Sequence, residues 1–300
     1  MRVSDEVGEA IASGRAVVAL ESTIIAHGLP HPDNLRVAGE IEEAVRSAGA
    51  VPATIAVLGG EVHVGLDDAA LERIGAGEDV AKCSVRDLPV VCARGGDGAT
   101  TVAATAHLAV RAGIGVFATG GIGGVHRDAA QTFDESADLV ALGRLAICIV
   151  CAGVKSILDV GATLERLETL GVTVLGYQTD QLAGFYLADS GHPVPWRVES
   201  AGEVAAVLRA REDVGAPGAV LVANPLPPGE QLDPQLHQRV LDEALAAGVD
   251  AGIHGKAITP FLLDRLRHDT EGESLRANVR LVLRNAALAG EIAVVAAAAK

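Results

Sequence analysis

Four of the 24 basic residues in this 300-residue chain are lysines: Lys82, Lys155, Lys256 and Lys300. The other basic residues are arginines, so this chain uses Arg wherever a generic positive charge suffices. Arg stays protonated and cannot act as a nucleophile, whereas Lys can lose its proton in a suitable site. The internal lysines are therefore the first candidates for chemistry. Lys155 follows the apolar run 146–152, and an amine there could form an imine with a carbonyl substrate. Glu21 closes the apolar run 16–20. A carboxylate so placed is partly desolvated, which raises its pKa and suits acid–base work. It reads equally well as a buried glutamate satisfied by a helix N-terminus. Lys82, with Ser84 nearby, could hold a phosphate or could be a solvated edge lysine. Asp134, Glu135 and Asp138 form an oxygen-rich cluster of the kind that takes Mg²⁺ or Mn²⁺ with several waters. Acidic and hydroxyl residues at a helix start, such as Ser136 and Asp138, also serve simply to stabilise its first turn.

These residues need a scaffold, and the pattern predicts one. Short β-branched runs alternate with longer helical patterns, the signature of an α/β fold. Strands are expected at 16–20, 53–57, 61–64, 90–92, 116–118, 147–151, 172–175 and 219–222. Helices are expected at 3–13, 32–48, 100–112, 137–144, 157–170, 235–247, 260–268 and from 273 onward. Gly59-Gly60 suggests an antiparallel hairpin inside an otherwise parallel sheet. The expected architecture is a three-layer α/β/α sandwich with a mixed, largely parallel central sheet, in one catalytic domain over 1–300. In such sheets ligands bind at the carboxyl ends of the strands. Four candidate loops occupy that position: 19–28, 80–88, 118–127 and the segment 132–138 with 152–156. The third contains Gly120, Gly121, Gly123 and Gly124 and ends in His126. Its backbone can approach a ligand closely and present N–H groups to an anion. It is neither a Walker loop nor a dinucleotide fingerprint. His126 reads as an acid–base group or as a loop donor.

Composition narrows the partners. The net charge is −15 and aromatics are 2% of residues. A nucleic-acid binder needs a basic surface and usually stacking platforms, so nucleic acid is not expected as a partner. No window reaches the length of a membrane span without charge, and 281–299, with Arg284, Asn285 and Glu291, reads as a buried or oligomer-facing helix, so no membrane is expected either. Residues 1–13 carry Asp5, Glu6 and Glu9 where a signal peptide would be basic and then apolar. Cys148 and Cys151 form a CxxC, but the surrounding apolar run reads as a strand, which points residues three apart to opposite faces. Free buried thiols and a cytoplasmic location are the expectation.

The strings Glu21-Ser22-Thr23-Ile24-Ile25 with His27-Gly28, Thr119-Gly120-Gly121-Ile122-Gly123-Gly124-Val125-His126-Arg127, Phe133-Asp134 with Ser136-Ala137-Asp138, and Cys151-Ala152-Gly153 with Lys155-Ser156-Ile157-Leu158-Asp159 resemble the pseudouridine-5′-phosphate glycosidase family, also called indigoidine synthase A-like. The likeness runs in order through Gly176-Tyr177-Gln178-Thr179 and Val222-Ala223-Asn224-Pro225 to Asn278. It implies reversible conversion of pseudouridine 5′-phosphate and water to uracil and ribose 5-phosphate. The scissile bond joins C1′ to C5, carbon to carbon, so the usual two-carboxylate scheme, which protonates a leaving heteroatom, is inadequate. A lysine adduct of the ring-opened sugar, a Schiff base chemistry, meets the need. The resemblance implies Lys155 as nucleophile, Glu21 as proton donor and Asp134 as the ligand of one Mn²⁺ per subunit. It implies substrate contacts from Lys82, Val102, Ser136, Ala137 and Asp138, with Thr119, His126 and Asn278 as further pocket residues. Lys256 also matches, without a role. It implies a homotrimer, and no fused kinase domain is expected within residues 1–300. Cys83 and Val154 depart from the family's pattern without removing a reacting group. An aldolase-like lysine-imine lyase on a sugar phosphate and a non-catalytic phosphosugar-binding protein remain as competing readings.

Overall fold

The computed structural model describes residues 1–253 and 258–299; Lys256 lies outside them. The chain runs β1 (Arg2–Val3), α1 (Asp5–Ala12), β2 (Val17–Leu20), α2 (Asp33–Ser47), β3 (Val51–Leu58), β4 (Glu61–Val64), α3 (Asp68–Ala76), β5 (Ala81–Cys83), α4 (Leu88–Ala93), β6 (Gly98–Thr100), α5 (Val102–Ala112) and β7 (Val116–Ala118). It continues with α6 (Ala129–Thr132), α7 (Ala137–Leu142), β8 (Cys148–Cys151), α8 (Val160–Thr169), β9 (Thr173–Tyr177), β10 (Trp196–Val198), α9 (Ala201–Asp213), β11 (Val220–Ala223), α10 (Pro234–Asp250), α11 (Ile258–Asp269) and α12 (Glu273–Ala298). The sheet order is β1-β4-β3-β2-β7-β8-β11-β9-β10, with β6 joining β3 and β5 joining β6. From β3 through β2, β7, β8, β11, β9 and β10 every neighbouring pair is parallel. The antiparallel pairs are β3 with β4 and β3 with β6. The mixed, largely parallel three-layer sandwich is therefore as expected.

Why the centre is parallel can be read from its strands. VVAL, VFA, CIVC and VLVA in β2, β7, β8 and β11 are buried at every residue. Continuous apolar runs suit a sheet covered on both faces. Helices α2, α9 and α12 pack together on one side, and α5, α7 and α8 belong to the other. α12 and α2 approach closely because Gly290 faces Ala48; a Cβ at Gly290 would overlap it. α12 is long and apolar enough to cross a membrane, yet half of its most apolar window is buried inside the protein. It is the core helix of this sandwich.

Asn285 is the exception inside that helix. It is fully buried, and its amide donates to the Thr119 carbonyl at 2.8 Å while its carbonyl accepts from Asn224 at 3.0 Å. One side chain thus pins α12 to the loops after β7 and β11.

Several sequence expectations need correction. Residues 90–92 belong to helix α4, because Pro89 sits in its first turn, where a missing N–H costs nothing. The first helix begins at Asp5, capped by Ser4, and Arg2–Val3 instead pairs with β4. The helix expected over 157–170 begins only at Val160, capped by Asp159. α3 and α9, and the short strands β5, β6 and β10, were not foreseen.

Replacing Asn285 by Leu leaves the Thr119 carbonyl and the Asn224 amide unpaired. The expected loss is about 1–3 kcal/mol, seen as a lower urea midpoint with an unchanged m-value.

Candidate active site

The register of three neighbouring strands builds the floor of the site. Leu20 of β2 pairs with Ala118 of β7, and Ala118 pairs with Val150 of β8. The next residue on each strand therefore emerges at one level: Glu21, Thr119 and Cys151. The Thr119 hydroxyl donates to Glu21 Oε1. Burial pushes the Glu21 carboxyl up from its ordinary value, and the nearby Asp138 charge adds to this. Lys155, the Thr119 hydrogen bond and Lys82 act in the opposite direction without cancelling it.

Lys155 is delivered by a loop zipped to the glycine-rich segment. Ala152 N–H donates to the Gly120 carbonyl, Ile122 N–H to Gly153 and Lys155 N–H to Ile122. Gly153 has φ +82°, and a Cβ there would run into the Ala183 carbonyl. Lys155 stands five residues before α8, so no helix starts at it. Behind it, Ser156 Oγ and His237 Nε2 of α10 are 2.8 Å apart. Arg127 donates to the carbonyls of Ser156 and Ile157, both at 3.2 Å. Burial, reinforced by the Arg127 charge and opposed by Asp242, lowers the His237 pKa to about 4.

Glu21, Lys155, Lys82 and Asn278 line one cavity of about 290 Å³ at the carboxyl ends of the strands. Surrounding protein and the Lys155 charge lower the Lys82 pKa, against Glu21 and Asp138. The Lys82 side chain still reaches solvent, which limits that effect. Two hydroxyls follow the paired ends of β5 and β6. Ser84 Oγ and Thr101 Oγ1 are both buried and lack a partner among the described residues. Thr101 precedes α5, so Val102 opens a helix N-terminus in the same corner, where N–H groups favour an anion.

Asp138 lies beneath the glycine loop. Its two oxygens accept from Gly123 N–H at 2.8 Å and Ala103 N–H at 3.0 Å. Ser136 caps α7 by accepting from Asp138 N–H, and Ala137 is the exposed first residue of that helix. His126 and Asp134 sit together away from the cavity wall, with Nε2 and Oδ2 3.9 Å apart. The structure thus gathers Glu21, Thr119, Lys155, Lys82 and Asn278 directly. It places Val102, Ser136, Ala137 and Asp138 behind or beside them, and His126 and Asp134 further out.

Thr23 and His27, which lie in the first candidate loop but were given no role, also line the cavity, as do Phe185, Tyr186 and Arg267, which sequence reasoning did not single out. The signal for two of them was present. The chain has only four Phe and two Tyr, and the scarcity argument applied to lysine would have marked Phe185 and Tyr186. Their ring centroids lie 4.5 Å apart. His27 lies in a π-type turn, Ile24–Gly28, and burial and Lys82 lower its pKa.

Comparison with known proteins extends the picture. The family model described as indigoidine synthase A like protein matches residues 6–295. A protein of Salinispora tropica named pseudouridine-5′-phosphate glycosidase is 61% identical over 299 residues, covering 99% of this chain and 92% of that protein. One of the same name from Streptomyces griseus is 60% identical, covering 99% and 93%. The crystal structure of the prealnumycin C-glycosynthase AlnA in complex with ribulose 5-phosphate superposes with a TM-score of 0.92. It is 42% identical and covers 99% of this chain and 97% of its own. An indigoidine synthase A-like protein from Thermotoga maritima gives 0.88 at 35% identity, covering 98% and 95%.

Two pH effects follow. A carboxyl with a raised folded-state pKa makes the folded protein hold its proton longer than the unfolded chain. Stability therefore falls as pH rises above the unfolded value. Glu21→Gln should gain thermal midpoint over the unsubstituted protein increasingly as pH rises above the unfolded carboxyl value, measured by calorimetry. His237 acts in the opposite sense. The unfolded chain takes up its proton below pH 6.5 and the folded chain only near 4, so stability falls as pH drops through that window, by about 3 kcal/mol in total. His237→Gln should flatten this acid limb of the urea midpoint.

Proposed function

We propose that this chain, which belongs to the indigoidine synthase A-like family, is a pseudouridine-5′-phosphate glycosidase that reversibly cleaves the C1′–C5 bond to give uracil and ribose 5-phosphate. The observation that carries the reading is the convergence of one amine, Lys155, and one carboxyl with a raised pKa, Glu21, in a single cavity. Two near relatives carry that name over nearly the whole chain.

In this mechanism Glu21 gives a proton as the furanose opens, and O4′ leaves C1′ as a hydroxyl. The Lys155 amine bonds to C1′. C5 of the base then gains a proton, and the C1′–C5 electron pair returns to the uracil ring while the nitrogen lone pair closes C1′=N. Water adds to this iminium ion and releases the aldehyde of ribose 5-phosphate, freeing the amine. A carbon leaving group needs this electron sink, which a carboxylate nucleophile does not provide. Thr119 orients Glu21. Lys82, the unpartnered Ser84 and Thr101 hydroxyls and the start of α5 at Val102 suit the phosphate. Asp138 holds that corner to the glycine loop through Ala103 and Gly123, with Ser136 and Ala137 at its edge. Asn278, Phe185 and Tyr186 offer the base one polar and two aromatic surfaces.

Among the described residues no three His, Cys, Asp or Glu side chains gather as a metal site. The donor set therefore suits a largely hydrated ion on one carboxylate. Asp134 would hold Mn²⁺, one per subunit, with His126 beside it. The ion would supply positive charge to the anionic substrate. The enzyme is read as a soluble cytoplasmic homotrimer.

The C-glycosynthase named among the similar structures favours one second reading, synthesis of a carbon–carbon bond to another aglycone. Incubation with uracil, ribose 5-phosphate and Mn²⁺ should yield pseudouridine 5′-phosphate by chromatography. No product in either direction from folded protein overturns the main reading. Borohydride with ribose 5-phosphate should add the sugar to the Lys155 peptide. Lys155→Arg should lose the label and at least about a thousandfold in turnover.

A further inference from the structure

The opposite end of the sheet, where the strands begin, carries a second cavity of about 190 Å³. Its walls are the loop between α1 and β2, the turn before β7, one face of α9 and the last turns of α12. Arg211 of α9 decides its chemistry. Its side chain is 9% exposed, and Nε and Nη1 are buried with no hydrogen-bond partner among the described residues. The one carboxylate nearby, Glu212, is 63% exposed and stands 3.8 Å from Nη2, too far to accept a hydrogen bond. A guanidinium stays charged at any ordinary pH, so a buried and unpaired one is costly. Arg15 and Arg209 line the same crevice. Among the described residues Arg15 donates one side-chain hydrogen bond, to Ser13 Oγ at 3.2 Å, and its charge also acts on Glu6. Among the described residues that line the crevice, three cations thus accompany one outward-turned carboxylate, in a chain whose net charge is −15. A local excess of positive charge against that background, around buried and unused donors, is a recognition feature.

We propose that this crevice is a binding site for a small free oxyanion, a phosphate or a small carboxylate, held by the fork of Arg211 with Arg15 and Arg209 at the rim. The planar guanidinium offers paired N–H groups that fit two oxygens of either group. The cavity has room for an anion of that size. α12 connects it to the catalytic cavity, since the helix that carries Ser274 and Asn278 into one end lines the crevice with Ala293 and Ala297 at the other. The site does not depend on the reaction proposed above, and its test does not read turnover.

Calorimetric titration of the full chain with inorganic phosphate, and separately with malonate, tests it. Ionic strength is held constant with chloride. The Lys82→Met background weakens anion binding in the catalytic corner, and the Arg211→Met comparison in that background separates the two sites. One saturable site per chain is expected for at least one of the two anions, and the better anion identifies the group. Arg211→Met should weaken it at least tenfold. Arg15→Ala with Arg209→Ala, both at the exposed rim, should weaken it severalfold, which keeps the test open if Arg211→Met does not fold. No saturable binding beyond the chloride control overturns the proposal, as does equal binding by folded Arg211→Met. A change of oligomeric state in Arg211→Met, by sedimentation, would make the occupant a second copy of the chain and also overturn it.

Discussion

Everything at the catalytic end of this protein depends on the alignment of three parallel strands. β2, β7 and β8 are hydrogen-bonded side by side with Leu20, Ala118 and Val150 in one row. Parallel pairing in register brings Glu21, Thr119 and the loop to Lys155 out at one height. A slip of one residue in β7 would reverse its faces and separate Thr119 from Glu21. The register is secured by strands with no polar residue to offer an alternative, and by α12, whose buried Asn285 takes the Thr119 carbonyl.

The polar groups nearest the cavity divide into two kinds. Asp138 spends both carboxylate oxygens on backbone N–H groups, so it shapes the glycine loop and the start of α5. Gly123 must be glycine for that contact, because a Cβ would overlap Ser136. Arg127, Ser156 and His237 likewise hold the backbone behind Lys155. Glu21, Lys82, Ser84 and Thr101 are different. They carry shifted pKa values or unused donors and acceptors. A fold tolerates such unsatisfied groups where a ligand supplies what is missing. The same principle separates Arg211, at the other end of the sheet, from the ordinary surface arginines paired with Asp or Glu.

Much of the scaffold was legible because the informative strands are apolar at every position and bounded by glycine or proline. β2, β7, β8 and β11 were each placed within two residues. The failures have physical causes. Strands β5, β6 and β10 are three residues long, too short for a period to register. The β-branched run Val90-Val91 became helix because Pro89 starts α4. α9 has weak amphipathic patterning and was not read as a helix, although Ser200 caps it clearly.

The sequence by itself determined which residues are able to do chemistry. The scarce Lys155 and Lys82, Glu21 at a strand end and the glycine-rich loop are local properties of composition and order, and the resemblance rests on the same strings. Tertiary structure decided which of them meet. Glu21 and Lys155 are 134 residues apart in the chain, and Phe185-Tyr186 and Asn278 reach the same cavity from two further segments. Only strand order and register can bring such distant residues together. The same holds for burial: Asp138 became an anchor and Arg211 an unpaired cation because of neighbours that no local pattern announces.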